Sequence, residues 1–101
     1  MFGVSYKPGV GDIRESPALK IIEPLQGQGA TVSYHDPHVP ALGDLELSSV
    51  PFEDALTDVD LALIVTAHPG VDHELIASRA PAVLDLRGVV SRVRGAHVVG
   101  L

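Results

Sequence analysis

The apolar positions of this chain follow three rhythms, and each predicts a kind of element. Residues 1–6 are short and mostly apolar and run into Pro8, Gly9 and Gly11, the pattern of a first strand followed by a long loop. Ala18, Ile21, Ile22 and Leu25 then recur at helical spacing. Ser16 is placed to cap that helix and Pro17 to fill its first position, where a missing N–H has no consequence. Pro24 predicts a kink or an early end, because proline inside a helix removes one backbone bond. Gly27 and Gly29 supply the stop, and residues 30–34 alternate into a second strand ending at His35-Asp36-Pro37. Residues 39–50 carry no readable rhythm. Residues 51–57 resemble a short helix, and 61–66 form the continuous apolar run of a strand buried on both faces. Residues 70–79 read as helix, and 82–86 and 96–100 as two further strands.

Strands alternating with helices imply βαβ units and a sheet covered on both faces. The expected class is α/β, a three-layer, Rossmann-like, doubly wound sheet that is mainly parallel, with about five strands. With 101 residues, 46% of them hydrophobic, residues 1–101 are read as one domain.

Composition narrows the chemistry. Seven Lys+Arg against thirteen Asp+Glu give a formal charge of -6, the wrong sign for holding nucleic acid through its phosphates. The longest apolar stretch is far short of the roughly 20 residues that cross a bilayer, so no membrane is expected. The first residues lack the features of a signal peptide and there is no cysteine, which points to the cytoplasm. Zero cysteine also removes thiolate nucleophiles and thiolate zinc sites. His35, His38, His68 and His73 fall into no recognised ligand spacing, and no metal is assigned.

In sheets of this class ligands sit beyond the carboxyl ends of the strands. That rule selects residues 6–16, 35–39, 66–71 and 87–92. The first of these loops joins Lys7, Arg14 and a helix N-terminus, all of which favour an anion. The competing reading pairs Lys7 and Arg14 with Asp12 and Glu15 on the surface. Gly9-Val10-Gly11 echoes a dinucleotide fingerprint only weakly, since Arg14 occupies the third glycine position. Asp36 stands where such a domain places a ribose-binding acid, but His-Asp-Pro is also an ordinary turn sequence, and the turn is favoured.

Taken whole, Gly3-Val4-Ser5-Tyr6-Lys7-Pro8, then Asp12-Ile13-Arg14-Glu15-Ser16-Pro17-Ala18, then His35-Asp36-Pro37 closely resemble the C-terminal UDP-binding domain of UDP-glucose/GDP-mannose dehydrogenases. Glu53-Asp54-Ala55-Leu56, residues 58–66 and Asp85-Leu86-Arg87-Gly88 follow in that family's order, so the likeness covers nearly the entire chain. The resemblance implies that Tyr6, Lys7 and Arg87 bind the nucleotide sugar, with Asp85 helping to place Arg87. It implies that Arg14 reaches an NAD cofactor held by a separate domain of the same enzyme. It further implies oxidation of the sugar C6 alcohol to a carboxylate through a cysteine thioester, and a homodimeric full-length enzyme. These residues contain no such cysteine, so no catalytic residue is assigned and weak UDP-sugar binding is expected of them alone. The form of the motifs leans towards UDP-N-acetylhexosamines. The start at the first strand suggests an excised domain or a truncated product.

Two other classes are weighed. A receiver-like regulatory domain needs an acidic cluster around a phosphorylatable Asp, and the first strand ends instead in Tyr6-Lys7. A pure interaction module of Rossmann-like fold, having lost its ligand, is disfavoured by Lys7, Arg14 and Arg87.

Overall fold

The computed structural model describes residues 1–90 and 97–100. Helix α1 spans Pro17–Gly27. Ser16 caps it from an extended backbone (φ -66°, ψ 130°), its Oγ accepting the Ala18 N–H. The same hydroxyl donates to Val4 O at 2.6 Å, so one buried side chain fixes both the helix start and its place against the first strand. Ser16→Ala removes a cap and orphans a buried carbonyl; we expect a loss of about 2 to 3 kcal/mol in urea unfolding.

Pro24 lies inside α1 and does not end it. Lys20, Glu23 and Pro24 all face solvent, so water can take the carbonyl that loses its partner while Ala18 and Ile22 stay buried on the other side. The helix stops where the glycines predict. Gly29 takes φ 91°, its N–H donates to Gln26 O, and the Ala30 N–H donates back to Leu25 O at 3.0 Å, which is the Schellman arrangement.

The unreadable stretch holds a small antiparallel pair, β1 (Ala41–Leu42) and β2 (Leu47–Ser48), joined through a 3-10 turn at Gly43–Leu45. Helix α2 (Phe52–Leu56) leads into β3 (Ala62–Ile64), buried at every position. Helix α3 (His73–Arg79) begins later than its rhythm suggests, because Asp72 Oδ1 accepts the Leu75 N–H at 3.0 Å and sets the start. β4 (Val83–Asp85) and β5 (Val98–Gly100) complete the sheet. Ala96, expected to open the last strand, and residues 91–92 of the loop after β4 lie outside the described residues.

β3, β4 and β5 are parallel neighbours in that order. Phe2 bridges β3 at Ile64 on one side and His35 on the other, both in parallel sense, and Tyr34 bridges Ser49. Five parallel positions therefore run in the order second segment, first segment, β3, β4, β5. This is the doubly wound order with its switch point between the first segment and β3.

Side chains of β3 and β4 alternate across this sheet as the pleat requires, while in the first segment Gly3, at φ 83°, interrupts the alternation and puts Phe2 and Val4 on opposite faces. Phe2, Ala62, Ile64 and Val83 join Ala55, Leu56, Ile76 and Ala77 of α2 and α3 in one core. Val4, Leu63 and Val65 join Ala18 and Ile22 of α1 in the other. Helix, sheet and helix form three layers, and the α/β expectation holds.

Candidate functional site

Three extended segments end side by side at the switch point, and each ends in polar residues: Ser5, Asp36, and Thr66 with His68. All four are buried. Asp36 is the hub. Its Oδ2 accepts the N–H groups of Val4 (2.8 Å) and Ser5 (3.2 Å) and lies 2.8 Å from His68 Nε2; its Oδ1 accepts the His38 N–H at 2.8 Å. Burial alone would push this carboxyl up, but the bonds from Val4, His38 and His68 together hold it below the usual carboxylate range. The favoured turn at Asp36 is present in the bond to His38. What sequence reading missed is that the same carboxylate binds the first segment to the second and to the end of β3.

The loop that leaves this network carries the candidate binding residues. Tyr6 keeps 47% of its surface exposed, an unusual state for an aromatic ring and one that leaves a face for stacking. Lys7 is exposed beside it, and its carbonyl accepts the Ser5 hydroxyl at 3.0 Å. Thr66 Oγ1 donates to Ser5 O at 2.7 Å, fastening the root of the loop to the end of β3.

Arg87 approaches from the next strand. Its Nε donates to Val65 O at 2.7 Å, which holds the side chain against the end of β3. Buried Asp85 shapes the turn that places it, accepting the N–H groups of Arg87 (3.0 Å), Gly88 (2.9 Å) and Val90 (2.9 Å). The sequence proposal that Asp85 places Arg87 thus has a geometric basis. Among the described residues Arg87 has no carboxylate partner.

Arg14 takes the surface-pair alternative in this structure. Its Nε and Nη2 meet the two oxygens of Asp12 at 3.1 and 3.0 Å, with Arg14 almost fully in water. The hydrogen bond from Arg14 is the main cause that lowers the Asp12 carboxyl. An exposed pair of this kind contributes little and exchanges readily for another anion. Tyr6, Asp12, Arg14 and Glu15 together line a shallow cleft of about 220 Å³. A larger cavity of about 670 Å³ lies at the opposite end of the sheet, where Met1, Thr31 and Leu61 begin their segments, away from the ends that bind ligands in this class.

Among the described residues Asp36 and the first loop do not form the dinucleotide fingerprint of this fold class. Asp36 is buried and fully engaged with protein donors, so it offers no oxygen to a ribose, and the loop after the first segment is long and closed on Asp12 rather than glycine-tight. Among the described residues no three His, Cys, Asp or Glu side chains gather into a metal site, and no helix is long and apolar enough to cross a membrane.

Comparison with known proteins agrees with this geometry. The sequence profile of the UDP-glucose/GDP-mannose dehydrogenase family, UDP binding domain, matches residues 1–92. An NDP-N-acetyl-D-galactosaminuronic acid dehydrogenase of Ralstonia nicotianae is 35% identical over 92% of this chain and 23% of its own length. A UDP-N-acetyl-D-mannosamine dehydrogenase of Methanococcus vannielii is 38% identical over 67% of this chain and 15% of its own. The solved structure of a UDP-N-acetyl-mannosamine dehydrogenase from S. aureus superposes with a TM-score of 0.75 at 28% identity, covering 98% of this chain and 25% of that one. This chain therefore spans about a quarter or less of the relatives it matches. It belongs to the UDP-glucose/GDP-mannose dehydrogenase family, as that family's UDP binding domain.

Proposed function

We propose that this chain is the nucleotide-sugar-binding domain of an NAD-dependent UDP-sugar 6-dehydrogenase, the enzyme that oxidises a sugar C6 alcohol to a carboxylate. The observation that carries the reading is the position of the loop at residues 6–16. It leaves the sheet at the switch point and presents Tyr6 and Lys7 to solvent, while Arg87 is anchored on Val65 at the end of the adjacent β3. An exposed ring, an ammonium and a guanidinium suit a uracil base and a diphosphate.

Arg14 has the other role. It lines the shallow cleft with Tyr6, paired with Asp12 at the surface, and we assign it to the NAD bound by a separate domain of the enzyme. These residues carry no cysteine, so they bind and orient but do not hold a thioester. UDP-N-acetylhexosamines are the favoured substrates on the form of the motifs, while the relatives' names include both N-acetylhexosamine and glucose enzymes. The working enzyme is proposed to be a cytoplasmic homodimer.

Titration with UDP, followed by backbone amide NMR, tests the reading. Amides of residues 6–16 and 85–88 should move, with weak affinity. Arg87→Ala should raise Kd roughly tenfold, the loss of one charge-assisted contact. Arg14→Ala should leave UDP binding unchanged. No movement in either segment sinks the proposal and favours the interaction-module alternative.

A further inference from the structure

The proposed site uses Tyr6, Lys7 and Arg87 but leaves unexplained the buried imidazole beneath them. His68 stands at the end of β3, directly under the loop, and its two ring nitrogens face different segments. Nδ1 lies 2.9 Å from the Gly9 nitrogen. A backbone N–H can only donate, so Nδ1 must be an unprotonated acceptor. Nε2 lies 2.8 Å from Asp36 Oδ2 and 3.1 Å from Ser5 Oγ. The Ser5 hydroxyl proton is directed at Lys7 O, so Nε2 must carry the hydrogen that meets Asp36. The bonding therefore specifies one state of His68: neutral, with the proton on Nε2.

We infer that His68 is a positioning residue for nucleotide-sugar binding: in its neutral Nε2–H form it holds Gly9, and with it Tyr6 and Lys7, in the binding position. The inference rests on the binding role proposed above for Tyr6 and Lys7. The turn is otherwise fixed by the Tyr6 N–H to Asp12 O bond and by Lys7 O on Ser5. Gly9 takes φ 78°, and a Cβ added there would meet nothing within 4 Å. Protonating Nδ1 sets a donor against the Gly9 N–H, and the loop must leave. The titratable and charged groups that face His68 are the Asp36 carboxylate, His38, whose ring centre is 4.6 Å away, and His73 on α3.

The consequence is a binding site that weakens in mild acid for a reason internal to the protein. The probe is a UDP-sugar, whose diphosphate is esterified at both ends and does not titrate in the range used. Its Kd should rise roughly tenfold as the pH falls from about 7.5 to about 5.5. His68→Gln keeps a donor at the Nε2 position for Asp36 but lacks the acceptor at Nδ1. It should fold, bind roughly tenfold more weakly at about pH 7.5, and lose most of the pH dependence. His68→Asn restores an acceptor near Nδ1 and should recover part of the affinity, again without the pH dependence. A purely structural role predicts the opposite order, with His68→Gln the better replacement.

The ligand-free protein gives an independent reading. Long-range ¹H–¹⁵N spectra should report the Nε2–H form of His68, and the Gly9 amide should shift with the protonation of that ring. An Nδ1–H form, or a Gly9 amide that ignores His68, overturns the inference whether or not a UDP-sugar binds. Failure of the UDP-sugar to bind at about pH 7.5, with the Gly9 coupling intact, overturns instead the binding role on which it rests.

Discussion

Gly3→Ala should unfold this protein or destabilise it by about 4 kcal/mol, against a total of roughly 5 to 15 for a domain of this size. Two separate costs meet at this position. Gly3 takes φ 83°, where an L side chain is strained by roughly 1 to 2 kcal/mol. An added Cβ would also lie 2.1 Å from Thr66 O and 2.7 Å from Thr66 N, which are backbone atoms at the end of a central strand. Neither atom can swing away as a side-chain tip would, and a close-packed core transmits the shift. Gly9→Ala serves as the comparison: φ 78°, but nothing within 4 Å of the new Cβ. It should lose only the conformational part, about 1 kcal/mol. Urea midpoints for both variants separate the two costs. Equal losses would mean that the approach to Thr66 is not what requires glycine.

The close approach at Gly3 also brings Ser5 and Thr66 together, and so the root of the loop to the end of β3. Neither the sequence around Gly3 nor that around Thr66 announces it. Local signals were readable where they were contiguous. Ser16-Pro17 started α1 and the Gln28-Gly29 pair ended it, because caps are made by residues within a few positions of one another. The run at 61–66 gave β3 because a strand covered on both faces has no polar alternation. Of the kink or early end expected at Pro24, the early end is absent, because Pro24 lies on the exposed face and the helix runs on to Gly27. Residues 39–50 hid β1 and β2 because two-residue strands are too short to show a period.

The binding residues and the network that holds them differed in the same way. Tyr6, Lys7, Arg14 and Arg87 were found through contiguous motifs. Ser5, Asp36 and His68 were not, since their contacts join residues 31 to 63 positions apart and exist only once the first segment lies between the second and β3. A signal was nevertheless present. Each apolar run that ends at this edge of the sheet is followed by a buried polar residue: Ser5 after Val4, Asp36 after Tyr34 and His35, Thr66 after Val65, Asp85 after Leu84. Polar groups in such places need partners, and in a doubly wound sheet the only available partners are one another and the loops above them.

Asp36 carries the heaviest share of that arrangement, and its removal should be the most damaging polar substitution in the chain. Asp36→Ala leaves the N–H groups of Val4, Ser5 and His38 and the Nε2–H of His68 without their acceptor. At about 1 to 3 kcal/mol for each buried orphan, the sum approaches the whole stability, and little folded protein is expected at 25 °C. Asp36→Asn should be intermediate. Its single oxygen can serve the three donors at Oδ2, while its amide then meets the His38 N–H as donor against donor. The charge itself is read out by pH. The folded-state pKa of Asp36 lies below the ordinary carboxylate value of 3.8, so its contribution is fully present above that value and is lost as the pH falls through the lower, folded one. Wild-type stability should therefore drop in urea titrations carried below about pH 4, and Asp36→Asn should flatten that drop. Asp12 is also lowered, but it is exposed and screened, so Asp12→Asn should leave the acid limb nearly unchanged. An acid limb that is identical in wild type and Asp36→Asn would remove Asp36 as the group that couples protonation to the assembly of the site.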